Sequence, residues 1–207
     1  NTLAGLLPPA DGLLRIDGEN ASAWRMKRRR RFWRERAAII HQDHGIIPEL
    51  SCEDNLTLGL SRKQYSKEEL LHSLGEVGLD VPFDGPAAIL SGGEQQRLAI
   101  ARALLRGAAY VFADEPTASL SQAETDALLA IVRRLSADGI AVVFVSHRLA
   151  EVLEVCSRVT VLRDGRNVAE LHGDGISEPA VMHAMAHGHG DGHGAAHGDG
   201  GKQVSHG

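Results

Sequence analysis

The chain has 207 residues, 43% of them hydrophobic and 24% charged, which supplies a packed core and excludes wholesale disorder. Its formal net charge is −5, a balance that argues against holding nucleic acid through bulk positive charge. No apolar run reaches the roughly 18–20 residues of a membrane span. Asn1-Thr2-Leu3 opens without a basic leader, so no secretory signal is expected, and Cys52 and Cys156 match neither metal nor redox spacing, which suits a reducing cytosol.

In chain order, Lys27-Arg28-Arg29-Arg30-Arg31, interleaved with Trp24, Phe32 and Trp33, reads as a solvated basic helix face with aromatics anchoring its other side. Alone, such a run also suits nucleic acid or an anionic membrane surface. Ala37–His41 is a short apolar strand. Lys67–Val77 carries Leu70, Leu71, Leu74 and Val77 at helical spacing, and Gly92–Leu105 is a helix burying Leu98, Ile100, Ala101, Leu104 and Leu105. Ala109–Ala113 is an apolar strand that runs into acids. Ala123–Leu135 is a helix with Ala127, Leu128, Ile131 and Leu135 on one side and Gly139 as its stop. Ile140–Val145 is β-branched and apolar, as a strand buried on both faces would be. Leu149–Cys156 forms a short helix, Val159–Leu162 a further strand, and Asp164-Gly165 a turn. Strand, helix and strand at these intervals predict an α/β protein with a mostly parallel sheet. His41 and His44 read as loop or strand polar residues, His72 as a surface histidine, and the two cysteines as small fillers.

From His183 to Gly207 the chain holds 6 of its 11 histidines and 8 of its 23 glycines, with no Leu, Ile or Phe. Such a segment cannot bury enough apolar area to offset its ordering entropy and is expected to be a disordered tail. His187, His189, His193 and His197 could bind Zn, Ni or Cu loosely, although flexible ligands gain no preorganised geometry.

Two runs carry chemistry. In Ala109-Tyr110-Val111-Phe112-Ala113-Asp114-Glu115-Pro116 an apolar strand delivers two adjacent carboxylates to its C-terminal end, where open α/β sheets build sites. Neighbouring strand residues point to opposite sides, so one acid can hold a hydrated Mg²⁺ while the other faces an attacking water. In Leu90-Ser91-Gly92-Gly93-Glu94-Gln95-Gln96-Arg97 a hydroxyl and two glycines sit at the mouth of a strong helix. Backbone N–H groups and the positive dipole end there suit a phosphate.

The string LSGGEQQR, then a strand ending in Asp114-Glu115-Pro116-Thr117-Ala118-Ser119-Leu120-Ser121, then a strand ending in Ser146-His147-Arg148, resembles the ATP-binding-cassette ATPases. Ser91 precedes Glu115 by 24 residues and Glu115 precedes His147 by 32, which fits that family. Gln42 looks like its Q-loop glutamine. The resemblance implies a P-loop NTPase-like cassette over residues 1–182, with a helical subdomain at about 50–105 and the tail over 183–207. It implies that Asp114 holds Mg²⁺ through water, Glu115 is the general base, and His147 supports the water near the γ-phosphate. Gln42 would sense Mg²⁺ and the γ-phosphate, its loop facing a transmembrane partner. Ser91, Gly92, Gly93 and Gln95 would bind ATP held by an opposite subunit, with Ala118–Ser121, including Ser119 and Ser121, at the dimer seam.

The implied partners are a second ATPase subunit, identical or not, transmembrane permease subunits and a substrate-binding protein, with no nucleic acid. The implied place is peripheral, on the cytoplasmic face of the inner membrane. Ser121, where most cassettes carry Asp, together with the stretches Val145–Val152 and Arg158–Arg166, resembles the monosaccharide-importer branch. Competing readings are an exporter ATPase for lipoprotein, peptide or drug, a soluble ATPase of translation or repair, and a non-hydrolysing degenerate subunit.

The family's phosphate-binding loop, G-x-x-x-x-G-K-S/T, does not occur in the 207 residues, and Asn1–Pro9 resembles the segment that follows it. The expectation is a cassette lacking its first strand and phosphate loop. The purified 207-residue chain should therefore show no Mg-ATP turnover above background in a phosphate-release assay, and robust turnover would refute this.

Overall fold

A computed structural model of the chain describes residues 12–40, 45–60 and 64–187. They fall into two compact units, one ending at Cys156 and the other beginning at Ser157.

The first unit opens with a short antiparallel hairpin, β1 (Arg15–Ile16) and β2 (Glu19–Asn20). Its turn is Asp17-Gly18, both at positive φ (+51° and +78°), the Asp-Gly pair that tight hairpins favour. Helix α1 (Met26–Glu35) carries the basic run. Phe32 is buried and its ring lies 5.3 Å from Trp24, 5.8 Å from Trp33 and 5.4 Å from Tyr110. One residue of the run departs from a solvated face. Arg29 is buried, its Nε donating to the Trp24 carbonyl (3.0 Å) and a terminal nitrogen to that of Ser22 (3.3 Å), so it ties the helix to the segment before it.

Strand β3 (Ala37–Ile40) is followed by helices α2 (Cys52–Leu56), α3 (Lys67–Glu76) and α4 (Gly92–Leu105). Each helix begins at a serine whose hydroxyl accepts a backbone N–H of the first turn: Ser51, Ser66 and Ser91. In α3 and α4 a Glu three residues on closes the reciprocal capping box. Cys52, Leu56, Leu70, Leu74, Leu90 and Leu98 form their shared core. Asn55, fully buried, pins the preceding loop: its Oδ1 accepts from Ile47 N–H (2.8 Å) and its Nδ2 donates to the carbonyls of Ile47 (2.9 Å) and Ser51 (3.1 Å).

Then come β4 (Tyr110–Asp114), α5 (Gln122–Ala137), β5 (Ala141–Val145) and α6 (Leu149–Val155). The sheet is parallel, in the order β3-β4-β5, with Ile40 opposite Ala113 and Asp114 opposite Val145. Side chains alternate across it: Val111 and Ile40 enter the helical core, while Phe112 and Ala37 meet Phe32. Gly139, at φ +84°, ends α5 as expected. Burial of β5 differs from the expectation. Its residues are half-buried at the centre and exposed at the ends, because it pairs only with β4 and its other edge has no strand beside it among the described residues.

In the second unit β6 (Arg158–Arg163) and β7 (Arg166–His172) form a hairpin turned by Asp164-Gly165, followed by α7 (Glu178–His187). The division placed at 182/183 thus falls inside α7, and residues 183–187 are helical. Val181 and Ala184 are buried, and Arg163 donates to the last-turn carbonyls of Met185 (3.1 Å) and Ala186 (3.3 Å), so the helix end is anchored despite its composition. His189, His193, His197 and the rest of 188–207 lie outside the described residues.

Asn55→Ala removes the side-chain partner of four backbone groups of the 47–51 loop, the Ile47 N–H and the carbonyls of Ile47, Leu50 and Ser51. It should lower the unfolding free energy by roughly 2–4 kcal/mol in urea titration.

Candidate functional site

The C-terminal ends of β4 and β5 bring two of the predicted residues together. Asp114 closes β4 and is exposed. Glu115, the next residue, leaves the strand with φ +47°, a left-handed backbone that costs a non-glycine residue energy and persists only where its surroundings fix it. Its N–H donates to the Val145 carbonyl (2.9 Å), and its Oε2 lies 2.7 Å from Nδ1 of His147. Glu115 therefore does not simply continue the strand alternation expected of Asp114-Glu115. The turn re-aims its carboxylate toward the loop after β5. Glu115 is the more enclosed partner, its side chain 29% exposed against 71% for His147.

That loop is Ser146-His147-Arg148. The Ser146 hydroxyl accepts the Arg148 N–H (3.0 Å) and donates to Oε2 of Glu151 (3.0 Å), a second contact that shapes the turn around His147. A His–Glu pair at 2.7 Å can orient a water and take up its proton.

The second group gathers where α4 and α5 begin. Ser91 caps α4, its hydroxyl accepting from Glu94 N–H (3.3 Å) while its own N–H donates to Glu94 Oε2 (2.8 Å). Ser121 caps α5 in the same way with Glu124. Gly93 was expected to offer an open N–H to an anion. In the structure this N–H donates to Oε1 of Glu124 (3.1 Å), and a Cβ at Gly93 would come within 2.6 Å of that oxygen. A carboxylate thus already occupies part of the anion-seeking helix mouth. Gly92 opens α4 beside it. Gln95 turns back to donate to the Leu90 carbonyl (3.1 Å), and Ser119 is exposed. Gln42 lies outside the described residues.

Hydrogen bonds from the Ser121 backbone and hydroxyl, then from Ser91 and the Gly93 N–H, hold the Glu124 carboxyl at about 2 against an ordinary 4.5. Sequence reasoning passed over this residue, although Ser121-Gln122-Ala123-Glu124 carries the capping-box spacing. Glu151 was also missed.

A divalent metal is tested by its donor set. Among the described residues no group of three or more His, Cys, Asp or Glu could hold a metal. Asp114 offers one exposed carboxylate at a strand end, which fits Mg²⁺, an ion that takes one or two carboxylates and completes its shell with water and phosphate.

A group whose folded pKa is depressed stabilises above its unfolded value and loses that contribution as pH falls toward the folded value. Stabilisation by Glu124 should therefore be complete above about pH 4.5 and vanish toward pH 2. In urea titrations Glu124→Gln should be less stable than the parent at pH 7, and the two should converge near pH 2.

Comparison with known proteins identifies the family and the fold. The profile of the ABC transporter family matches residues 1–118. The chain is 36% identical over 176 residues to the ribose import ATP-binding protein RbsA of Shouchella clausii, an alignment covering 81% of this chain and 35% of that protein. It therefore spans about a third of the length of the curated relatives it matches. Among solved structures, the dimeric post-hydrolysis state of the ATP-binding cassette MJ0796 bound to ADP and Pi superposes with a TM-score of 0.68 at 28% identity, over 82% of this chain and 76% of that one. The fold is also that of cbiO1 from Clostridium perfringens, part of the ABC transporter complex cbiONQ, with a TM-score of 0.73 at 22% identity over 89% and 74% of the two chains. The fold is the α/β, P-loop NTPase-like cassette that the motifs imply, and the chain belongs to the ABC transporter family.

Proposed function

We propose that the chain is part of an ATP-hydrolysing subunit that energises import of a simple sugar or related small solute. The observation that carries this reading is the 2.7 Å pair of Glu115 and His147 at the ends of two adjacent parallel strands, beside the exposed Asp114. Glu115 takes a proton from the attacking water. His147 fixes that carboxylate and supports the water beside the terminal phosphoryl group. Asp114 would hold Mg²⁺ through water, and the bound ion would supply charge neutralisation at the phosphates. Gln42 would act as a sensor of Mg²⁺ and phosphate.

Ser91, Gly92, Gly93 and Gln95 serve ATP carried by a second ATPase subunit, with Ser119 and Ser121 at the seam. Glu124 must then yield the Gly93 N–H when that phosphate arrives. The sugar assignment rests on the ribose import proteins at about 35% identity. The permease subunits and a substrate-binding protein would be its further partners. No helix among the described residues is long and apolar enough to cross a membrane, and the proposed location is peripheral, on the cytoplasmic face of the inner membrane. In domain terms the cassette has its helical subdomain at about 50–105.

The test is Glu115→Gln in the full-length protein. It removes the proton acceptor and keeps the shape, so steady-state turnover should fall by at least about 100-fold. An ATP-bound dimer should then accumulate on gel filtration. Turnover within threefold of the parent would overturn Glu115 as the base.

A further inference from the structure

Glu151 stands in the first turn of α6, only 6% exposed, and the reaction proposed above makes no direct use of it. A buried carboxylate is costly unless donors surround it. Here they come from two different loops. Oε2 accepts the hydroxyl of Thr117 (2.7 Å) and that of Ser146 (3.0 Å), while Oε1 accepts the Arg148 guanidinium (3.2 Å). Thr117 is fully buried and lies two residues after Glu115. Ser146 and Arg148 are the immediate neighbours of His147.

One oxygen of one side chain therefore joins the loop that bears Glu115 to the loop that bears His147. Loops beyond strand ends move more than the strands they follow, and a base must be held to fractions of an ångström. Within the Glu115 loop the backbone adds short turns, Ala118 N–H to the Glu115 carbonyl (3.2 Å) and Leu120 N–H to that of Thr117 (3.1 Å). These stiffen that loop but do not reach the other. The Glu115 N–H to Val145 bond fixes the strand-end backbone and leaves the imidazole free to swing.

We propose that Glu151 is a positioning residue whose buried carboxylate clamps the Thr117 and Ser146 loops together and thereby sets the Glu115–His147 contact. The catalytic meaning of this clamp rests on the functional reading above, but the clamp itself is a statement about geometry.

The test separates the two. In the 207-residue protein labelled with ¹⁵N-histidine at fixed pH, the His147 Nδ1 resonance, assigned with His147→Asn, reads the contact with Glu115. Glu151→Ala should move it to the position of a free imidazole. Thr117→Val, nearly isosteric, should move it part of the way. Glu151→Gln keeps an oxygen for both hydroxyls and should leave it near the parent position.

In the full-length protein Glu151→Ala should lower kcat for ATP by about 10–100-fold with KM within threefold, and Glu151→Gln should stay within about threefold of the parent. The double variant Glu151→Ala/Thr117→Val should lose no more than the worse single one, as expected of groups acting as a unit. An unmoved His147 resonance in folded Glu151→Ala, or in Thr117→Val if the alanine variant does not fold, overturns the clamp. Equal loss of kcat in the Gln and Ala variants does the same. If the parent full-length protein fails to hydrolyse ATP, the functional reading falls, and the histidine resonance still decides on the clamp.

Discussion

Across the parallel ladder Asp114 stands opposite Val145, so β4 and β5 release their chains at the same level. The Glu115–His147 half of the candidate site follows from that register. The Glu115 N–H reaches the Val145 carbonyl because the two strands end together, and the left-handed turn at Glu115 then has a fixed point to bend against. A one-residue slip would reverse which face each side chain of β5 presents. The apolar alternation of both strands, one face to the helical core and the other to Phe32, holds the register. The chemistry at the strand ends is thus set by packing along their whole length.

The central elements were legible because their periodicity is strong. β3, β4, β5, α3, α4 and α5 lie within a residue or two of where the apolar spacing placed them. The hairpin of β1 and β2 was passed over because two-residue strands carry no periodic signal, although Asp17-Gly18 marks the turn. α2 is short and polar, and only its Ser51 cap betrays it. Composition alone assigns part of α7 to the tail, because histidine and glycine dominate beyond residue 187. Val181, Ala184 and the Arg163 anchor outweigh that composition in the helix itself. The half-exposure of β5 was not legible at all, since apolar content shows what a strand could bury and not which neighbours it has.

At the site the sequence named the residues that touch one another, Glu115 and His147, and missed those that restrain them. Glu124 and Glu151 both lie in the first turn of a helix, where an acid is ordinary as a cap or as a partner of the helix dipole. Only three dimensions show that each also reaches a second segment, Glu124 to Gly93 at the start of α4 and Glu151 to Thr117 after β4. Long-range polar contacts of this kind leave no spacing to read. They do leave burial, and in the case of Glu151 that is what separates it from a surface cap.

The aromatic layer beneath α1 has an optical consequence. The chain has two tryptophans, Trp24 and Trp33, and both belong to the cluster around Phe32 and Phe112. Intrinsic emission excited at the indole band therefore watches a single side of the sheet. It follows the seating of the arginine-rich helix and stays silent about α3 on the opposite side.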